Sequence, residues 1–414
     1  MTVITSLDIG THKIVAIMGR MRADAEVEII GVGHHDSTGL KRGEVVDIDA
    51  TVDAIRSAIR GVEYASGIDS GSVSGVTVGI AGSHIRCMHA DGKVKIAGKE
   101  VSANDIASAI DTASAIDIGL GERMLHVLPR TFTVDRATGV TQPIGMYGKQ
   151  LGVGVLLVNC ADAAASNIEK CVYSCEMKVD ALVLEQIASS RAVLDNDEKA
   201  LGVCVVDIGG GTTDIAVYLD GALEYVGVIP IAGDQMTRDI AHALQTPLRV
   251  AQDIKERYGC AYASDVGGHE RVYVEGVGGR IGREIPRQSL ADVVQARYTE
   301  LFVLIREQLA AEGLLGSLSA GLVLTGGSAS MEGCVKLAEE HFQMAVRRGI
   351  PTQKYGVRAM MQDPKYSTGV GLLLHRADAI RAARAQAQVQ NRFFARIARL
   401  FGSGARKTAV VSGY

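Results

Sequence analysis

Apolar residues recur along this chain with two periods, and the changes from one period to the other mark its elements. VITSLDIG and KIVAIMG alternate and are β-branched, which predicts two strands joined at a DIGT turn, with a third at VEIIGVG. Ile48, Val52, Ile55, Ile59 and Val62 then fall at helical spacing and predict an amphipathic helix laid on that sheet. SGVTVGIAG reads as a buried strand. From residue 83 to 160 the pieces shorten to a capped helix from Ser102 to Ala115, the strand LHVLPRTFTV and a Gly-rich stretch from Gly145 to Gly152, together an inserted subdomain. LGVGVLLVNC and helices from Ala163 to Glu176 and from Glu185 to Leu194 are expected to return to the first layer.

The opening pattern then comes back. GVCVVDIGGGTTDIAVYLDGALEYVGVIP is again strand, DIG turn, strand, turn, strand, about two hundred residues after the first copy. Two similar domains facing each other explain the repeat. Helices follow from Gln235 to Leu244 and from Leu248 to Tyr258, then short strands, a long helix from Ser289 to Ala311 and the strand-turn-helix GLVLTGGSASMEG. The stretch from Ala379 to Gln390 is Ala, Gln and Arg with no core-facing stripe and reads as a linker. At 414 residues the chain exceeds what one core supports, so an α/β protein of at least two domains is expected.

Composition narrows the partners. Apolar residues make up 47%, which fits a packed globular protein, while a formal charge of -4 and the absence of Trp argue against nucleic acid. The opening residues have neither a basic nor an apolar signal region, and no run is long enough to span a bilayer. Seven scattered cysteines suit reduced thiols; Cys171 and Cys175 share a helical face without further ligands, which favours packing over metal binding.

Triphosphate binding requires backbone N–H groups aimed at oxygens, glycines that allow close approach, and a carboxylate that holds a metal ion through its water shell. Both DIG turns supply these parts. In the first, Asp8 faces the metal and Gly10, Thr11, His12 and Lys13 provide donors; in the second, Asp207 faces the metal and Gly209, Gly210, Gly211, Thr212 and Thr213 wrap the phosphates. One such turn alone is also what a tight hairpin selects; two in equivalent context are more specific. No P-loop or Rossmann glycine pattern occurs. LTGGSASMEG adds a third glycine turn, Gly326, Gly327 and Ser328, at the C-terminal end of a strand.

These motifs, in this order, resemble the actin, Hsp70 and sugar-kinase superfamily, which implies an actin-like two-lobed ATPase fold with ATP and Mg in the interlobe cleft. Lys255 and Glu256 in DIKERY look like its nucleoside-contacting segment, although a solvated helical pair reads the same. Across nearly the whole chain, GVCVVDIGGGTTDIAVY, GLVLTGGSASMEG, RYTEL and the Phe- and Arg-rich tail resemble the FtsA family of bacterial cell-division proteins. The resemblance implies lobe 1 from 1–82 and 161–198, an inserted self-association subdomain at 83–160, lobe 2 from 199–229 and 300–378, and a small subdomain at 230–299. It further implies a partner, the C-terminal peptide of the tubulin-like FtsZ, with Arg287 and Arg297 as candidates to take its carboxylates; an internal ion pair is the alternative for each. Self-association, recruitment of later division proteins and a place at the division septum are implied as well. Glu185 is the candidate for positioning a hydrolytic water, so ATP is expected to act chiefly as a conformational ligand with slow turnover. A sugar-kinase-like enzyme is the rival reading.

After the linker, 391–402 forms an amphipathic helix and 403–414 a tail. Phe393, Phe394, Ile397, Leu400 and Phe401 share one helical face, Arg392, Arg396 and Arg399 flank it, and Gly402 ends it. At about 1.5 Å per residue the segment rises roughly 16 Å, enough to lie in an anionic membrane surface but not to cross it. A helix docked on its own protein is the alternative. The expected location is the cytoplasmic face of the inner membrane.

Overall fold

The computed structural model describes residues 2–22, 26–69, 71–352 and 362–401, with side chains as far as residue 385. In lobe 1 the strands Thr2–Ile9, Lys13–Met21 and Val27–Asp36 form an antiparallel meander, and Gly75–Ile80 and then Lys178–Leu184 add in parallel beside Thr2–Ile9. Lobe 2 repeats the arrangement. Val203–Ile208, Thr213–Leu219 and Ala222–Ile229 form the meander, and Leu322–Thr325 and Val346–Arg348 extend it in parallel. The strand order is the same in both, so the repeated DIG motif marks a duplicated mixed sheet.

Parallel neighbours need crossover connections, and these carry the remaining elements. The helix Ile48–Ser66 is the first crossover. Asp47 caps its start by accepting from the Ala50 N–H, and Gly67 at φ 69° ends it. It lies so close to the sheet that a Cβ on Gly33 would stand 2.0 Å from the Ala58 carbonyl oxygen. In lobe 2 the first crossover holds the small subdomain, with helices Gly233–Leu244, Leu248–Tyr258 and Arg287–Ala311 and the hairpin Arg271–Val274 with Arg283–Pro286.

The insertion sits in the second crossover of lobe 1. Its sheet runs Arg86–Lys95, Gln150–Ala161, Glu122–Val134, Ala137–Val140, covered by the helix Ala103–Ser114, which starts with a reciprocal Ser102–Asp105 capping box. LGVGVLLVNC therefore does not return to the first sheet: it is a central strand of the inserted one. The reason is legible in its side chains. Leu151, Val153, Val155 and Leu157 fill the insertion's core, whereas Leu156, Val158 and Cys160 point the other way into the core of lobe 1. The strand that does return is Lys178–Leu184.

Val203–Ile208 is shared in the same manner. Val203 and Val205 join the core of lobe 1, and Cys204, Val206 and Ile208 join a second core under the helices of lobe 2. All seven cysteines are free thiols and five are buried, Cys171 among them, as packing predicts.

Two helices form the hinge between the lobes, Glu185–Val193 and Ser367–Phe401. A Cβ on Gly371 would lie 1.7 Å from the Ala188 carbonyl oxygen, so the axes approach as closely as only glycine permits. Arg191 and Asp378 pair across the same contact at 2.6 Å. The backbone stays helical through residues 379–390 to Phe401, where the sequence reads as a linker; the Ala- and Arg-rich composition favours helix even without a core-facing stripe. The side chains of the expected membrane face, Phe393 to Phe401, lie outside the described residues.

Because the obstacle at Gly371 is backbone, it has little room to yield. Gly371→Ala is expected to lower stability by about 3 kcal/mol in urea unfolding, the upper range for overpacking a core. A loss below about 0.5 kcal/mol would show that the helices slide apart freely.

Candidate functional site

The two DIG turns face each other across the cleft floor. Each closes in the same way: the Gly10 N–H donates to the Lys13 carbonyl at 3.0 Å, and the Gly209 N–H to the Thr212 carbonyl at 3.0 Å. The third glycine turn locks onto the second. Ser328 Oγ donates to the Gly209 carbonyl at 2.8 Å, and Tyr298 of the long helix donates its hydroxyl to the Ser328 carbonyl at 2.5 Å. Gly326 adopts φ 86° and a Cβ there would lie 2.3 Å from Asp207 Oδ1, so both the conformation and the space require glycine.

Together these turns enclose a cavity of about 640 Å³ whose walls come from both lobes. Asp8, Gly10, Thr11, His12 and Lys13 line one side and Asp207, Gly209, Gly210, Thr212, Gly326, Gly327 and Ser328 the other, and Lys255, Glu256 and Glu185 also line it. Lys255 is held by the Gly233 carbonyl at 3.0 Å and Thr237 Oγ1 at 2.8 Å, and Glu256 accepts from Gln252 at 2.5 Å. Two expected residues are displaced. Gly211 faces loop 1, where a Cβ would meet Thr11 Oγ1 at 2.5 Å, and Thr213 turns inward to donate to the Ile231 carbonyl at 2.7 Å.

Charge dominates the floor. Burial pushes Asp8 up to about 7, Lys13 lowers it in part and Asp207 raises it further. Asp207 rises to about 6 through burial, held down in part by the Thr368 and Ser189 hydroxyls, and Asp214 rises to about 8 through burial and the nearby Asp207. Glu185 is raised by burial and by repulsion from Asp8, Asp214 and Asp207. Lys13 is lowered to about 8 by burial against the pull of Asp8. Four carboxyls around one lysine suit a cation that arrives with its own charge. Among the described residues no three ligating side chains converge tightly enough to grip an ion directly, so contact through water fits this donor set.

Several residues of the site carry little signal in the sequence. Asp214 stands opposite Asp207 in the hairpin register, a position that the spacing of the two strands contains. It accepts from Thr212 Oγ1 at 3.0 Å and from Gln186 Nε2 at 3.0 Å, a buried amide on the hinge helix of the other lobe. Thr368, which donates to Asp207 Oδ2 at 3.1 Å, and Lys365, whose carbonyl accepts from Lys13 Nζ at 2.6 Å, carry no local signal. Arg287 and Arg297, the two arginines expected to meet a partner peptide, lie outside the cavity and are paired within the chain. Arg287 bridges Glu270 at 2.8 Å and Glu332, and Arg297 bridges Asp239 at 2.5 Å and Glu300.

Residues 204–371 match the family model described as "Cell division protein FtsA", and residues 82–159 match "SHS2 domain inserted in FTSA", which coincides with the inserted sheet. The chain is 48% identical over 372 residues to the cell division protein FtsA of Pseudomonas aeruginosa, spanning 90% of this chain and 88% of that one. It is 41% identical over 377 residues to the FtsA of Escherichia coli strain K12, spanning 89% of each. Among solved structures, the PilM-PilN type IV pilus biogenesis complex aligns at a TM-score of 0.63 and 14% identity, covering 90% of this chain and 98% of that one. MreB5 of Spiroplasma citri bound to ADP aligns at 0.56 and 14%, covering 92% and 99%. These structural likenesses establish the actin-like fold, and the sequence identities establish that this chain belongs to the FtsA family of cell division proteins.

Proposed function

We propose that this protein binds ATP with Mg²⁺ in the interlobe cleft, uses it to control self-assembly on the cytoplasmic membrane, and there holds FtsZ filaments and helps recruit later division proteins. The observation that carries the nucleotide is the pair of equivalent turns opening on one cavity above buried acids. Their amides and Lys13 meet phosphate oxygens, and Asp8 and Asp207 hold the cation's waters. Glu185 is the water-positioning candidate, and turnover is slow because the nucleotide serves chiefly as a conformational ligand. The nucleoside lies toward Lys255, Glu256 and Gly327.

For the partner peptide, Arg297 would exchange Glu300 for a peptide carboxylate while keeping Asp239. The membrane contact belongs to Phe393, Phe394, Ile397, Leu400 and Phe401 with Arg392, Arg396 and Arg399. Partial immersion of five such side chains contributes roughly 4 to 7 kcal/mol, with about 1 more per well-placed Arg. Ordering the helix offsets much of that. One molecule then holds weakly, and a filament holds firmly through many copies.

Asp207→Ala combined with Gly210→Asp is expected to weaken ATP binding at least about a hundredfold, since it removes the cation's carboxylate and places a charge among the phosphates. Calorimetry reads the affinity, and assembly should fall with it; wild-type affinity in the double variant would place the nucleotide elsewhere. A second prediction concerns pH. With folded pKa values raised to about 7, 6 and 8, Asp8, Asp207 and Asp214 favour the fold below pH 4, and this contribution is lost as pH rises through those values. A cation reverses the balance by favouring the ionised form, so Mg²⁺-ATP should bind more tightly, and raise the melting temperature more, at pH 8 than at pH 6. An equal shift at both would remove the acids from cation binding. Third, Phe394→Glu should abolish sedimentation with anionic liposomes while leaving ATP affinity unchanged, and unaltered sedimentation would defeat the anchor.

A further inference from the structure

The inserted subdomain touches both lobes. Toward lobe 1 it is fixed by Arg123, which reaches Asp162 at 2.7 Å, Glu169 at 2.7 Å and Ser166 at 3.1 Å. Toward lobe 2 it lies against the edge strand Ala222–Ile229. There Glu224, 17% exposed, forms an ion pair with Arg130, whose guanidinium also donates to His89 Nδ1 at 3.0 Å. With Nδ1 accepting, the ring proton sits on Nε2, 3.6 Å from the second Glu224 oxygen. Burial and the Arg130 charge keep the His89 pKa below its ordinary value, in keeping with a neutral ring. Beneath the charges, Cys87 Sγ donates to the Val226 carbonyl at 3.3 Å, and Cys87 and Leu128 pack on the same core as Leu223 and Val226.

We propose that Glu224, gripped by Arg130 and His89, is a latch between lobe 2 and the inserted subdomain that couples opening of the cleft to the position of that subdomain. None of the three residues lines the cleft. Rotation about the hinge helices carries Ala222–Ile229 with lobe 2, so the insertion must follow it or part from Glu224. Parting gives up this partly buried ion pair and the apolar contact beneath it, which resists opening. The latch thus slows escape from the cleft without contacting what is bound there.

The test uses the full chain with Arg130→Ala, Glu224→Ala and the swapped pair Arg130→Glu with Glu224→Arg. Amide hydrogen exchange should rise about tenfold across Ala222–Val226 and Arg86–Met88 in each single variant, stay unchanged in Val203–Ile208, and return toward wild type in the swap. A second readout rests on the nucleotide reading: a fluorescent ATP analogue should dissociate about tenfold faster from the single variants and more slowly again from the swap. Unchanged exchange overturns the latch, and raised exchange with unchanged dissociation overturns its coupling to the cleft. A wild-type protein that binds no analogue counts against the nucleotide reading, while the exchange arm still decides whether the latch exists.

Discussion

Like charge buried at the hinge is the constraint around which this fold is arranged. Asp8 and Asp207 end the first strands of two copies of one sheet, and when the copies face each other across a cleft, duplication brings acid to acid. Asp214 and Glu185 add to the crowding. The surroundings compensate with what each lobe can reach: the Lys13 ammonium, the Thr368 hydroxyl at the head of one hinge helix and the Gln186 amide on the other. The compensation is incomplete, and all four carboxyls remain displaced toward their neutral forms. A fold that concentrates uncompensated acid beside exposed amides is poised for a ligand that is at once anionic and metal-bound.

Glycine provides the geometry that makes this concentration possible. Gly33 admits the first crossover helix onto lobe 1, Gly92 admits the insertion's helix to within 2.0 Å of a virtual Cβ at the Ala109 carbonyl, and Gly371 does the same for the hinge pair. One device, a missing side chain under a passing carbonyl, recurs in lobe 1, in the insertion and at the hinge pair.

Much of this was legible in the sequence because the informative residues are local. The duplicated sheet follows from DIGT and DIGGGT, the insertion's helix from its capped start at Ser102, and the cavity lining from three glycine turns. What escaped depends on contacts between distant segments. Nothing in the sequence around Thr368 or Gln186 indicates that each reaches a carboxylate of another strand. LGVGVLLVNC was misplaced for a physical reason, since a strand buried on both faces has no alternation to reveal which sheet it joins. An internal ion pair is the sequence alternative for Arg287 and Arg297, but its partners are not legible there because Glu332 and Asp239 lie 45 and 58 residues away.

That doubly buried strand limits what can be exchanged between related proteins. Residues through Val155 serve the insertion, and from Leu156 onward alternate side chains belong to the body of lobe 1. A graft that swaps the subdomain as a block, cut at its apparent ends, would bring a foreign row of side chains, in place of Leu156, Val158 and Cys160, into the lobe 1 core with it. The natural seam lies inside the strand, so this module can diverge outside its host only as far as one shared row of side chains allows.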